Sequence, residues 1–200
     1  MGVMGGTFDP IHHGHLVAAE EAMSHFRLDE VMFLPAGQPW MKEHQVIAPR
    51  EDRYLMAVLG TANNPDFSVS PLEIERPGPT HTVDTLHEIR SLRDEDPDLE
   101  MFFITGADAV LDLWEWKEPD EILDLSHVIA ATRPGYDLTV LQKEIDEHGL
   151  PITILDVPAL AISSTDIRRR VGEGRPIRYL VPDAVLSYIE RSGLYRGHAS

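Results

Sequence analysis

A doubly wound α/β fold, with a mainly parallel sheet and helices on both faces, is predicted by three features of this 200-residue sequence. Short, nearly continuous apolar runs alternate with longer segments of helical periodicity along most of the chain. The runs lack the in–out alternation of a sheet wetted on one side, so their strands belong in a parallel sheet buried on both faces. Hydrophobic residues at 42% and charged residues at 26% are ordinary globular composition, and the length suits one compact domain over residues 1–200.

The elements follow in order. Val3-Met4 opens as the first strand, and residues 14–26 form a helix with Leu16, Ala19, Met23 and Phe26 at helical spacing. Residues 30–35 (EVMFLP) are the second strand, and residues 50–62 a helix carried by Leu55, Met56 and Leu59. Residues 67–74, 100–105 (EMFFIT), 128–132 (VIAAT) and 152–157 (ITILDV) are four further strands. Right-handed crossovers between parallel strands favour the doubly wound order, which puts ligands beyond the strands' carboxyl ends. The acidic stretch 94–100 (DEDPDLE) is a solvated loop, and residues 163–200 are a helical end.

Charge and cysteine content narrow the function. Seventeen Lys and Arg against 34 Asp and Glu give a formal charge of -17, a surface that repels nucleic-acid phosphate. The absence of cysteine removes thiolate catalysis and Cys-based metal sites, and fits a reducing compartment. No stretch has a signal peptide's make-up or the apolar length of a membrane span, so a soluble, cytoplasmic protein without a membrane partner is expected. Residues 163–200 carry seven arginines against four acidic residues, which points to a local anion site on an acidic protein.

Two segments carry the chemistry. In the first, the opening strand runs through Gly5-Gly6-Thr7-Phe8-Asp9-Pro10-Ile11-His12-His13-Gly14-His15 into a helix. Glycines let backbone N–H groups approach a ligand, and a helix start offers unpaired donors and positive dipole, so the segment reads as a phosphate cradle. His12 and His15, three apart, project on one side, where imidazoles donate to phosphate oxygens. A divalent metal on His12, His13 and His15 is the alternative, with no carboxylate or Cys nearby to complete it. Neither the Walker pattern nor GxGxxG is present. In the second segment, Ile162-Ser163-Ser164-Thr165-Asp166-Ile167-Arg168-Arg169-Arg170, Ser163 and Asp166 have capping spacing. A helix starting there presents its N–H groups, the Ser163 and Thr165 hydroxyls and the Arg168 fork to polyphosphate, with one arginine inward and two solvated.

GGTFDPIHHGH and ISSTDIRRR together resemble the two signature motifs of the HxGH nucleotidyltransferase superfamily, specifically of bacterial nicotinate mononucleotide adenylyltransferases, and the likeness covers most of the chain. The resemblance implies a Rossmann-like fold and transfer of AMP from ATP to nicotinate mononucleotide, giving deamido-NAD and pyrophosphate, with Mg²⁺ and a function in NAD biosynthesis. It assigns His12 and His15 to the ATP phosphates, Gly6 and Thr7 to the cradle, and Ser163, Thr165 and Arg168 to the triphosphate. It matches the family's basic loop residue to Lys42, although Trp40-Met41 departs from the commoner polar spelling and a solvated lysine is the alternative. Thr82, in the segment 80–86, falls where the family receives the nicotinate carboxylate, and Trp116 where it stacks on the pyridine ring; Trp114 has no such match and is expected in the core. Gly106 and Asp108 follow the fourth strand, with Asp108 either on the ribose hydroxyls or a helix cap. Arg133 lies in the family's adenine-side loop. Mg²⁺ is then held mainly by phosphate oxygens and water rather than by protein ligands.

Such a reaction requires no covalent intermediate, because the acceptor phosphate is the nucleophile. Alternatives are another acceptor, nicotinamide mononucleotide or phosphopantetheine, and a non-catalytic nucleotide-binding sensor. Homo-oligomerisation stays open.

Overall fold

The computed structural model describes residues 1–39, 48–132, 138–158 and 161–196. Six strands, β1 (Gly2–Gly6), β2 (Val31–Pro35), β3 (Phe67–Val69), β4 (Phe102–Gly106), β5 (His127–Thr132) and β6 (Ile152–Asp156), form one sheet in the order β3-β2-β1-β4-β5-β6. Every pairing is parallel. The order reverses between β1 and β4, leaving a crevice at their carboxyl ends where the chain departs to opposite faces.

The apolar runs are continuous because successive side chains feed two cores. Met4, Phe33, Ile104, Ile129 and Leu155 face one core; Val3, Leu34, Phe103, Val128 and Ala130 face the other. The first core is closed by α1 (His13–Phe26), α2 (Arg50–Thr61), α8 (Ser164–Gly172) and α9 (Asp183–Ser192). The second is closed by α4 (Thr82–Leu92), α5 (Ala107–Val110), α6 (Pro119–Leu125) and α7 (Thr139–His148). In α1 the fully inward positions are Ala18, Ala19 and Ala22, small enough to bring the helix close to the sheet.

Three expectations are corrected. The apolar run 67–74 is strand only to Val69, because the backbone leaves extended geometry at Pro71 (φ −83°, ψ 2°) and enters a one-turn helix, α3 (Leu72–Glu75). In α2 the inward stripe is Arg53, Met56, Ala57 and Thr61, which turns Leu55 outward at 44% exposure. Trp114 is 49% exposed, the buried place in its 3₁₀ turn being taken by Leu113. The stretch 94–100 is exposed save for Leu99, as expected.

Candidate active site

β1 ends in Gly6, and the chain crosses the crevice as Thr7–Ile11 before α1 begins. His12 is the N-cap residue of α1, and its backbone N–H donates to Nδ1 of His15 at 3.2 Å. The two imidazoles stack with centroids 3.7 Å apart and an interplanar angle of 18°. With Nδ1 of His15 accepting, the neutral ring carries its proton on Nε2, which makes that atom a donor. Phe8, buried and at φ 49°, stands edge-on to His15 with centroids 5.0 Å apart and keeps the ring from turning.

The second segment arrives from β6. Ser163 caps α8, its hydroxyl accepting from the Asp166 backbone N–H at 3.1 Å. Ser164 donates its hydroxyl to the carbonyl of Pro10 at 2.9 Å, which fastens the start of α8 to the β1–α1 loop. Arg168 donates to the carbonyl of Asp9 at 2.9 Å and to the Thr165 hydroxyl at 3.3 Å, with a side chain only 14% exposed. Its neighbours turn outward: Arg169 and Arg170 both hold Asp166, whose carboxyl their hydrogen bonds keep below the ordinary carboxylate range.

One cavity of about 400 Å³ collects these groups. Gly6, Thr7, His12, His15, Ser163, Thr165 and Arg168 all line it, as do Gly106 and Asp108 at the end of β4. A Cβ built on Gly106 would stand 2.4 Å from Oδ1 of Asp108, so the carboxylate occupies the space beside that glycine. Asp108 lies in the first turn of α5 rather than at its N-cap, where Gly106 sits. A second cavity of about 160 Å³ holds Thr82 and Trp116. His81 and Thr82 begin α4, and Trp116 stands edge-on to Phe103 with centroids 6.0 Å apart. The two cavities share Gly5, Gly6, Thr7, Thr105 and Ala109 as a common wall. Lys42 and Arg133 lie outside the described residues.

Several site groups carry little or no signal in the sequence. Glu73 is buried in the wall of the second cavity, accepting from the Thr85 hydroxyl at 2.8 Å, and burial raises its pKa. Lys117 lines the same cavity and pairs with Asp84 at 2.6 Å. Arg53, 1% exposed, donates to the carbonyls of Thr7, Gly37 and Ala48 at 2.8, 2.9 and 3.3 Å, joining the cradle to both sides of the loop after β2; burial lowers its pKa. Of these only Lys117 had a cue, its position beside Trp116.

The donor set of the larger cavity fits an anion. Among the described residues no group of three His, Cys, Asp or Glu side chains is arranged to hold a metal ion, so the three-histidine metal alternative has no completed site. Imidazole and guanidinium donors, hydroxyls and the start of α8 instead line that one cavity, an arrangement of donors that can take an anion.

The cytidylyltransferase-like family matches residues 3–170. A Streptomyces coelicolor protein named "Probable nicotinate-nucleotide adenylyltransferase" is 54% identical over 197 residues, covering 97% of this chain and all of that one. A protein of the same name from Clavibacter michiganensis is 56% identical over 199 residues, covering 98% and 94%. The Plasmodium falciparum nicotinic acid mononucleotide adenylyltransferase complexed with NaAD superposes with a TM-score of 0.77 at 20% identity, covering 97% and 96% of the two chains, a likeness of fold.

Proposed function

This chain belongs to the cytidylyltransferase-like family, and from that premise we propose that it is a nicotinate-nucleotide adenylyltransferase. It joins the AMP part of ATP to nicotinate mononucleotide and releases pyrophosphate, a step of NAD biosynthesis. The observation that carries this reading is the wall shared by two cavities at the switch point. The larger is lined by His12, His15 and Arg168, the smaller by Thr82 and Trp116, and Gly5, Gly6, Thr7, Thr105 and Ala109 divide them. A triphosphate in the first and a pyridine nucleotide in the second bring the acceptor phosphate to the α-phosphorus across that wall.

The residues have these tasks. An oxygen of the acceptor phosphate attacks the α-phosphorus, a new P–O bond forms, and the bond to the β-phosphate bridging oxygen breaks with its electrons going to pyrophosphate. Positioning and charge neutralisation carry the catalysis, so no side chain forms a covalent bond. His15 donates from Nε2, His12 stacks beside it, and Arg168 with Ser163, Thr165 and the start of α8 holds the phosphates that leave. Gly6 and Thr7 seat the reacting phosphate, while Gly106 and Asp108 serve the ATP ribose. Thr82 receives the nicotinate carboxylate at the start of α4, where N–H groups and dipole favour an anion, and Trp116 covers the pyridine ring. By resemblance to the family, Lys42 serves as the basic residue of the loop after β2 and Arg133 as part of the adenine-side loop; both lie outside the described residues.

Magnesium, when bound, shields the charge of the triphosphate. The cavity fits an ion carried in on phosphate oxygens with its own waters better than one held in a protein cage, since Asp108 is the carboxylate offered there while Asp9 is 2% exposed and engaged by Tyr195. Residues 1–200 act as one domain in this reading, in the cytoplasm, with no nucleic-acid or membrane partner. Among the described residues no helix is long and apolar enough to cross a membrane.

Pyrophosphate release with ATP, Mg²⁺ and each of nicotinate mononucleotide, nicotinamide mononucleotide and phosphopantetheine tests the function. The expected result is turnover with the nicotinate compound in preference to the others. Preference for another acceptor refutes the substrate, and no release with any refutes the enzyme in favour of a nucleotide-binding sensor.

A further inference from the structure

We propose that Tyr195 is a positioning residue for adenylyl transfer, acting through Asp9 to hold Arg168 at the triphosphate. The inference rests on the adenylyltransferase reading above. Tyr195 lies 186 residues downstream of Asp9, is 2% exposed, and donates its phenol hydroxyl to Oδ1 of Asp9 at 2.7 Å. The same oxygen accepts from the Ala48 backbone N–H at 3.3 Å. On the other side of Asp9, Arg168 donates to its backbone carbonyl at 2.9 Å and lies 3.9 Å from Oδ2. Asp9 is itself 2% exposed, so its position is set by these groups rather than by water.

The backbone supports the assignment. Tyr195 at φ 65° and Phe8 at φ 49° are non-glycine residues in left-handed conformation, and both are buried. Such residues persist only where their surroundings hold them, and these two flank Asp9, one in sequence and one in space. Burial, followed by the neighbouring Asp9 charge, pushes the phenol's pKa upward, so the hydroxyl remains a donor across the working pH range. An Asp9 anchored at its carboxylate by a fixed hydroxyl keeps its backbone carbonyl, and with it the guanidinium that donates to that carbonyl, in place, and a displacement of about 1 Å at such a group can cost about a hundredfold in rate.

The experiment is a double-mutant cycle on the full chain: wild type, Tyr195→Phe, Arg168→Ala and the double variant, with kcat and KM for ATP measured at saturating nicotinate mononucleotide and active-site concentration titrated. Tyr195→Phe is expected to lower kcat by about tenfold or more, with KM for ATP changing less, and to cost less than about twofold once Arg168 is alanine. Equal losses in the two backgrounds, or no loss in the first, overturn the proposal, because a merely structural role lowers both backgrounds alike. Should Tyr195→Phe fail to fold, Asp9→Asn takes its place in the cycle with the same coupling expected and the same results overturning it. An active wild type with an additive cycle refutes only the role of Tyr195; a wild type that makes no dinucleotide refutes the function and this inference together.

Discussion

His15 shows how a single backbone contact prepares a side chain for chemistry. Its Nδ1 accepts from the His12 N–H, and the ring is held between His12 and Phe8. Alanine at His15 or at Arg168 is expected to lower kcat by about two to three orders of magnitude, the effect of removing one preorganised donor from developing charge; unchanged steady-state kinetics in folded variants would contradict the assigned roles. Glu73 gives a test through pH. Burial raises its pKa in the folded chain, so from the ordinary value of 4.5 up to that raised value the folded state binds more protons than the unfolded state. Its contribution to stability is therefore fully present below 4.5 and is lost as pH rises through the folded pKa. Relative to Glu73→Gln, the wild type should lose stability as pH rises above 4.5, and parallel pH profiles of the thermal midpoints would refute this. The histidines, Ser163 and Arg168 were legible in the sequence because spacing and capping chemistry are local. Asp9, Arg53 and Tyr195 were not, because their partners lie 39, 46 and 186 residues away, as in Ala48 to Asp9, Thr7 to Arg53 and Asp9 to Tyr195.

At the scale of elements, α8 depends on its cap and the loop after β2 on Arg53. Ser163→Ala removes the acceptor for the Asp166 N–H and should cost about 1 kcal/mol in urea denaturation; no change would mean that another group satisfies this N–H. Arg53→Met strands the carbonyls of Thr7, Gly37 and Ala48, three acceptors in or beside the crevice, and a loss of about 3 kcal/mol or more is expected in the same measurement. A variant as stable as the parent would show that water or another donor replaces the guanidinium. Gly37 is equally constrained, since a Cβ there would come within 2.0 Å of the Glu73 carbonyl oxygen. The six strands were legible as apolar runs, and α1 and α2 as periodic stripes. The exceptions have physical causes: Pro71 cut the third run short, and Leu55 lies off a stripe that includes a buried arginine, a residue hydrophobicity does not mark as core.

For the whole molecule, the order β3-β2-β1-β4-β5-β6 brings together segments that are distant in the chain. β1 and β4 diverge at the sheet's centre, β6 delivers α8 to the loop leaving β1, and His12, His15 and Arg168 come to line one cavity. Alternating runs and helices made the parallel, doubly wound class legible. Strand order was not encoded in any one segment; the paired motifs implied only that their two segments must meet. The net charge of -17 also makes the arginine of this cavity a local exception on an acidic molecule, suited to an anionic substrate.

Transfer in this site is direct: two phosphates are aligned by histidines and an arginine, and no side chain takes the adenylyl group. The stereochemical course at the α-phosphorus tests it in one measurement, by turning over a single diastereomer of ATP with sulfur on that phosphorus in the presence of nicotinate mononucleotide. A dinucleotide of inverted configuration is expected. Retention, which requires two displacements and an adenylylated protein, would contradict it.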